Sequence, residues 1–258
     1  AAVVIASRSA GAVEHGLAAL AAAGLPGERL AGRACDVTRQ EQVQALLDFA
    51  LERFGRIDVW VNNAGISPAY GPTVHQRAEE FVQTTQTNVL GSYYGSLAAM
   101  RYFLPRKQGK LINVLGRGAR EPVPMQNAYA SSKAWLRSFT VALAREHRDS
   151  GVGVFALNPG MMDTEMLTDV RVLEGFEDGL KNFGAVVQTL SQPPEVPARR
   201  AIWLASAATD GKTGLVTSEL NPLTVLKQVA RQGLNRLLGR SGRPLEIKIT
   251  SVPKEWPR

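Results

Sequence analysis

Short apolar runs alternate with longer amphipathic stretches along most of the chain. The apolar runs are rich in Val, Ile and Leu and predict buried strands at 3–7, 30–35, 57–61, 110–115, 152–157 and 214–217. The stretches between them show helical spacing and predict helices at 13–23, 40–54, 79–103, 128–148 and 195–205. Strands that read as unbroken apolar runs are typical of parallel sheets covered on both faces. The pattern therefore predicts a single α/β domain with a doubly wound parallel sheet.

The chain is less regular after residue 160. Residues 161–190 contain three glycines, Gly175, Gly179 and Gly184, and predict a mobile region that covers the substrate rather than core. Further on, apolar residues from Leu223 to Leu237 recur at helical spacing with basic residues between them. We therefore predict a domain over 1–218 and a basic helical extension over 219–258.

The positive charge lies almost wholly in the last quarter of the chain. The net charge is +7, and residues 199–258 hold 11 basic and 4 acidic residues, so the rest of the chain is balanced. A basic amphipathic helix contacts either a second subunit or an anionic membrane surface, and we favour the subunit contact. No nucleic-acid recognition motif accompanies the charge, so nucleic acid is not an expected partner.

The rarer residues argue against metal binding and disulfides. The single cysteine, Cys35, cannot form an intramolecular disulfide, and the three separated histidines lack a metal-ligand spacing. No run of 18 apolar residues occurs, and the first residues do not form a signal-peptide pattern. We expect a cytoplasmic protein without a metal site.

Four motifs follow the predicted strands in a fixed order. The residues from Asn62 to Gly65 read NNAG, Asn88 lies in the next helix, Tyr129 and Lys133 form a YxxxK pair, and Asn158-Pro159-Gly160 is followed by Thr164. This set resembles the short-chain dehydrogenase/reductase family over residues 3–217. The resemblance implies a Rossmann-type fold, a homodimer or homotetramer, and an oxidoreductase that acts on a small carbonyl or alcohol.

The YxxxK pair suits proton transfer. A phenol has an ordinary pKa of about 10, so it needs a neighbouring positive charge to exchange protons near neutrality. Lys133 lies one helical turn after Tyr129 on the same face and can supply that charge. The resemblance implies that Tyr129 is the general acid/base, that Lys133 also binds the nicotinamide ribose, and that Asn88 holds a water in a proton relay. Taken alone, without the other motifs, the pair would favour a tyrosine that merely packs and a solvated lysine.

One catalytic position departs from the family pattern. The family places a serine thirteen residues before the tyrosine, where it donates a hydrogen bond to the substrate carbonyl, and this chain has Gly116 there. Losing such a donor costs about 10²–10³ in rate. Either another donor such as Arg117 replaces it, or the substrate needs less polarisation of its carbonyl, or activity has been lost. Met161 is a further candidate substrate contact. The alternative is a dinucleotide-binding sensor or scaffold with little turnover.

The cofactor residues favour NADP(H). The family's glycine-rich phosphate turn does not occur, and Val3–Ser7 matches the family's second strand, so we expect the first strand, the turn and the first helix to precede Ala1. The acidic residue that binds a ribose 2′-hydroxyl is replaced by Ser7, Arg8 and Ser9, and an arginine can pair with a 2′-phosphate. Asp36 either contacts adenine, with Val37 beside it, or caps a helix. The remaining cofactor contacts implied by the resemblance are Asn63, Ala64, Gly65, Tyr129, Lys133, Pro159, Gly160 and Thr164.

Overall fold

Strands and helices alternate through the residues that the computed structural model describes, 1–219 and 245–255. The strands are β1 (Val3–Ser7), β2 (Leu30–Ala34), β3 (Val59–Asn62), β4 (Lys110–Val114), β5 (Gly153–Asn158), β6 (Asp169–Leu173), β7 (Val216–Ser218) and β8 (Lys248–Val252). The helices are α1 (Ala10–Ala22), α2 (Gln40–Phe54), α3 (Ala78–Thr85), α4 (Gly91–Phe103), α5 (Asn127–Glu146), α6 (Glu165–Thr168), α7 (Phe183–Leu190) and α8 (Glu195–Ala205). None of these described helices is long and apolar enough to cross a bilayer.

The strands form three parallel groups. The central sheet has the order β3-β4-β5-β7, β1 pairs with β2, and β6 pairs with β8. Helices connect successive strands of the first two groups, as parallel pairing requires. The predicted α/β fold with parallel strands is confirmed.

The central sheet carries core on both faces. Leu111 of β4 packs with Met100 and Phe103 of α4, while the next residue, Ile112, packs with Leu204 of α8. Neither Leu111 nor Ile112 exposes any surface. Successive side chains of a strand point to opposite faces, so this strand needs a helix layer on each side.

The long helix predicted over 79–103 is interrupted. A π-helical turn over Gln86–Leu90 separates α3 from α4. Such turns insert one extra residue into a helix and are frequent at functional sites. Periodicity did not reveal the turn because residues 83–88 are all polar, so they contain no apolar spacing in which a change of register could be seen.

The prediction for residues 161–190 is wrong in one respect. The segment contributes core, because Val172 and Val187 expose no surface and Leu180 exposes only 6%. Gly175, two residues after the end of β6, has a φ of 85°, which is typical of a glycine in a turn. The predicted basic helix from Leu223 to Leu237 lies outside the described residues. The strand β8, which follows it, was not predicted.

Candidate active site

Tyr129 and Lys133 lie on the first turns of α5. Lys133 is only 4% exposed, and its Nζ donates a hydrogen bond to the Val114 carbonyl at 3.0 Å, at the end of β4. The same Nζ lies 5.6 Å from the centre of the Tyr129 ring. The four-residue spacing brings both side chains to the sheet-facing side of the helix.

The Tyr129 hydroxyl occupies the space beside Gly116. A Cβ built on Gly116 would collide with that hydroxyl and lie 3.1 Å from the Tyr129 Cζ. Within the part of the chain that the structure describes, the hydroxyl makes no hydrogen bond and so remains available to a ligand. The glycine thus determines where the phenol can lie.

Burial shifts the pKa of each member of the pair. Desolvation raises the pKa of Tyr129 to about 12 and lowers the pKa of Lys133 to about 8. A neighbouring ammonium would stabilise the phenolate, but here burial disfavours both the phenolate of Tyr129 and the ammonium of Lys133. At neutral pH Tyr129 therefore carries its proton, the state that a general acid needs.

Asn88 lies in the π-helical turn and is fully buried. Its Oδ1 accepts from the Ile66 N–H (2.8 Å), and its Nδ2 donates to the Ile66 carbonyl (2.9 Å) and to Ser132 Oγ (3.0 Å). Both amide hydrogens are therefore used inside the protein. Ser132 in turn donates to the Tyr129 carbonyl at 2.6 Å. Sequence reasoning missed Ser132, although its place in the YASSK segment puts it beside Lys133.

Hydrogen-bonded amides join the central strands β3 and β4 next to the site, between the partly buried Asn62 and the fully buried Asn113. Asn62 Nδ2 donates to Asn113 Oδ1 at 2.8 Å, and Asn113 Nδ2 donates to Thr140 Oγ1 at 2.9 Å. Asn62 Oδ1 accepts from Trp60 Nε1 at 2.8 Å. Asn113 was not predicted as part of the site, although an asparagine within an apolar strand signals a buried hydrogen-bond partner.

The residues expected to select the cofactor lie at the ends of β1 and β2. Ser9 caps α1 by accepting from the Ala12 N–H at 3.2 Å, and Arg8 is exposed. Asp36 accepts from the N–H and hydroxyl of Thr38, which lowers the pKa of its carboxyl, and the charge of Arg8 lowers it further. Arg8 and Asp36 are therefore close enough to interact electrostatically. Ser7 ends β1, and its carbonyl accepts from the Cys35 N–H at 2.8 Å.

Val37 follows Asp36 and packs against α4. A Cβ on Gly91 would lie 2.7 Å from Val37 Cγ2, so the helix and this loop are in close contact. Asn63 and Ala64 are exposed at the end of β3.

The turn after β5 is held by hydrogen bonds. Gly160 has a φ of 76° and its N–H donates to Asn158 Oδ1 at 3.1 Å. Gln192 Nε2 donates to the Pro159 carbonyl at 3.2 Å, and the Gln192 N–H donates to the Met161 carbonyl at 3.0 Å. Thr164 directly precedes α6 and its N–H donates to the Met162 carbonyl at 2.8 Å.

The proposed substrate residues are not all in the same environment. Gly116 is buried against Tyr129, Met161 is partly buried, and Arg117 is exposed. A cavity of about 680 Å³ lies between residues 72–73, the loop 118–125 and the outer side of α5. Tyr129 and Lys133 do not line it, so it adjoins the catalytic pair rather than containing it.

The site fits the ribose of a nicotinamide dinucleotide. Gly65 lacks a side chain where a Cβ would lie 3.4 Å from Lys133 Nζ and 3.5 Å from Asn88 Oδ1, so a ligand can approach both groups closely. An ammonium has three donors, and the described residues accept one hydrogen bond from Lys133, through Val114. The remaining donors suit ribose hydroxyls.

Comparison with known proteins agrees with the fold described above. The family model of the short chain dehydrogenases matches residues 1–174. The chain belongs to this family. Glucose 1-dehydrogenase 2 of Bacillus subtilis is 32% identical to this short chain dehydrogenase over 180 residues, 69% of each chain.

Solved structures of family members align with the fold described above. A 3-ketoacyl-(acyl-carrier-protein) reductase from Brucella melitensis complexed with NADH has a TM-score of 0.74 at 26% identity and covers 86% of this chain and 87% of its own. ElxO with NADP bound has a TM-score of 0.69 at 26% identity and covers 83% and 85%. The chain is therefore an oxidoreductase of a family whose members bind nicotinamide dinucleotides.

Proposed function

We propose that this short chain dehydrogenase is NADP(H)-dependent and interconverts a carbonyl and an alcohol, with Tyr129 as the general acid/base. The observation that carries the proposal is the Tyr129 hydroxyl, which has no hydrogen-bond partner in the described residues and lies on the same helix face as buried Lys133. A neutral phenol in a water-poor site can donate its proton to a developing alkoxide. The cofactor, when bound, supplies or accepts the hydride.

Lys133 serves both binding and proton transfer in this proposal. Its ammonium, still protonated at neutral pH with a pKa of about 8, would hold the ribose hydroxyls and stabilise the phenolate that forms once Tyr129 has donated its proton. Asn88 keeps the loop after β3 beside α5. Both of its amide hydrogens are used and its oxygen already accepts from the Ile66 N–H, so the second lone pair of that oxygen is the side-chain position left to hold a water.

Arg8 supports NADP(H) as the cofactor. An exposed arginine and two serines stand at the end of β1, where an acidic residue would repel a 2′-phosphate. ElxO, which resembles this chain, has NADP bound, whereas the Brucella reductase has NADH. The local chemistry at Arg8 therefore supports NADP(H) as the cofactor in this proposal.

A second candidate is a dinucleotide-binding sensor or scaffold with little turnover, which Gly116 favours. We also propose a cytoplasmic homodimer or homotetramer. In this proposal the basic extension contacts a second subunit, and contact with an anionic membrane surface is its alternative. Flotation with anionic liposomes at low and high salt separates the two, because electrostatic attachment weakens as salt rises.

Turnover of the proposed reaction is tested by NADPH oxidation with a panel of aldehydes and ketones. Tyr129→Phe should lower kcat by about 10²–10⁴ and leave NADPH binding unchanged. Tyr93→Phe, which alters a tyrosine that is 39% exposed on α4, is the matched control. NADPH binding without turnover on any substrate would favour the scaffold, and equal activity of Tyr129→Phe and wild type would refute the role of Tyr129.

A further inference from the structure

Three loops leave the carboxyl ends of the central strands and enclose the region beside Tyr129. They are residues 63–77 after β3, 115–126 after β4 and 159–164 after β5, and we call them the crevice loops. In open parallel sheets the ligand crevice forms outside these strand ends. The positions of the crevice loops therefore determine the shape of the substrate site.

Backbone hydrogen bonds connect the crevice loops to one another. The Gly71 N–H donates to the Met125 carbonyl at 2.9 Å, which joins the first loop to the second. The Tyr70 N–H donates to the Arg171 carbonyl at 2.8 Å, and the Leu173 N–H donates to the Tyr70 carbonyl at 2.9 Å, which joins the first loop to β6. The strand β6 directly follows the third loop and α6.

The strand β8 completes this arrangement from the other side of β6. It pairs in parallel from Asp169↔Lys248 to Leu173↔Val252, and the Glu174 N–H donates to the Val252 carbonyl at 3.0 Å. The central residue of β6, Val172, exposes no surface. β6 is thus held between Tyr70 and a strand that lies far away in sequence.

The residues that end and follow β8 contact two of the same segments. Ser251 Oγ donates to Glu177 Oε1 at 2.7 Å, just after β6. The Glu255 N–H donates to the His75 carbonyl at 3.1 Å, and the Glu255 carboxylate lies 3.7 Å from Arg77 Nε. Both His75 and Arg77 belong to the first crevice loop.

The first crevice loop is also connected to the catalytic helix. Asn127 Nδ2 donates to Thr73 Oγ1 at 3.1 Å, and Asn127 lies two residues before Tyr129. Movement of the loop 63–77 would therefore reach the start of α5. The cofactor residues Arg8 and Asp36 lie at the ends of β1 and β2, outside this set of contacts. The proposed cofactor contacts at 63–65 lie in the first crevice loop and those at 159, 160 and 164 in the third, but none of the hydrogen bonds and ion pairs above involves them.

We propose that β8 and Glu255 are positioning elements of the substrate site, so that substrate selection depends on a strand from the C-terminal region. The proposal rests on the oxidoreductase function proposed above. It assigns to β8 an effect on substrate KM and on the preference among substrates, and none on the affinity for NADPH.

Two proline variants of the full chain test the proposal. The hydrogen bond from Glu174 to Val252 and the alternation of a parallel ladder direct the Thr250 N–H toward β6 and the Ile249 N–H away from it. Thr250→Pro should therefore break the pairing, and Ile249→Pro, at a residue that is 42% exposed, is the matched control.

The first readout is hydrogen–deuterium exchange, which does not depend on turnover. Thr250→Pro should raise exchange at least fivefold in residues 66–76 and 169–180, whereas Ile249→Pro should leave both close to wild type. The second readout is kinetic, with acetophenone and 2-alkanones of increasing chain length. Thr250→Pro should raise the KM for these ketones about tenfold or change the order of preference among them. The Kd for NADPH should stay within twofold of the wild-type value.

The two proposals fail in different ways. Absence of turnover in wild type contradicts the proposed function, while the exchange data still test β8. Unchanged exchange in residues 66–76, or equal effects of both prolines, would overturn the positioning role. If Thr250→Pro does not fold, Glu255→Arg places like charges beside Arg77, and adding Arg77→Glu should restore wild-type exchange. Failure of that restoration, with both variants folded, also overturns the proposal.

Discussion

Replacement of Gly116 should displace the phenol of Tyr129. The Cβ of Gly116→Ala would overlap the Tyr129 hydroxyl and lie 3.1 Å from Cζ and 3.4 Å from Cε1. Carbon and oxygen atoms need about 3.5 Å, so the hydroxyl must move by about an ångström. A displacement of that size costs about 10² in rate. Overpacking of this kind also destabilises by about 1–3 kcal/mol.

The assay combines kinetics with thermal unfolding. Gly116→Ala should lower kcat by about 10² without changing the KM for NADPH. Gly116→Ser should lie between Ala and wild type, because its hydroxyl supplies a donor while its Cβ causes the same displacement. The loss of Tm in Gly116→Ala should fall by at least half in a Tyr129→Phe background, which lacks the overlapping oxygen. A Gly116→Ala variant as active as wild type would refute the argument, as would Gly116→Ser exceeding wild type.

Two further substitutions test the electrostatics of the site. Arg8→Asp should raise the KM for NADPH by about 10–100-fold and leave the KM for NADH nearly unchanged, since a charge-assisted hydrogen bond contributes about 1.5–3 kcal/mol. Arg29→Asp is the control. Equal effects of Arg8→Asp on both cofactors would contradict a preference for NADP(H). Lys133→Met should abolish activity yet raise Tm at pH 7 by about 4–8 °C. A pKa lowered from 10.5 to about 8 means that burying the charged lysine costs the wild type about 3 kcal/mol, and the variant avoids this cost. The variant loses about 1 kcal/mol because the hydrogen bond of Lys133 is gone. Between pH 8 and 10.5 the unfolded wild type binds more protons at this lysine than the folded protein, so the stability of the wild type rises with pH. The difference in Tm between Lys133→Met and wild type should therefore become smaller. A constant difference would contradict the lowered pKa of Lys133.

The strands and helices of the sheet could be predicted because their signals are local. The helices Gln40–Phe54 and Glu195–Ala205 and the strand Val3–Ser7 begin and end at the predicted residues. Each is bounded by a change in the spacing of apolar residues or by a residue such as Gly55, which adopts a φ of 75° at a helix end. These determinants lie within a few residues of the boundary they set.

The strands β6 and β8 could not be predicted because their pairing depends on partners distant in sequence. Asp169–Leu173 contains two charged residues that alternate with apolar ones, which suits a strand, but three nearby glycines suggested irregular backbone. Its register is set by Lys248–Val252 and by Tyr70. The site, too, could be predicted only in part. The motifs locate Tyr129 and Lys133, but the closeness of the Tyr129 hydroxyl to Gly116 depends on how α5 packs against β4, which the sequence does not show.

The hydrogen bond between Asn62 and Asn113 also bears on the accuracy of folding. The two amides face each other across β3 and β4, and Val61 pairs with Ile112 on the same ladder. Slippage of β3 by one residue would separate the two amides, set Asn62 against Ile112 or Val114, and leave the oxygen of the buried Asn113 without its donor, at about 1–3 kcal/mol per unsatisfied group. Asn63 follows directly after one amide and Gly116 follows three residues after the other. A slipped register of β3 against β4 therefore costs free energy at the same place in the sheet that positions the catalytic residues.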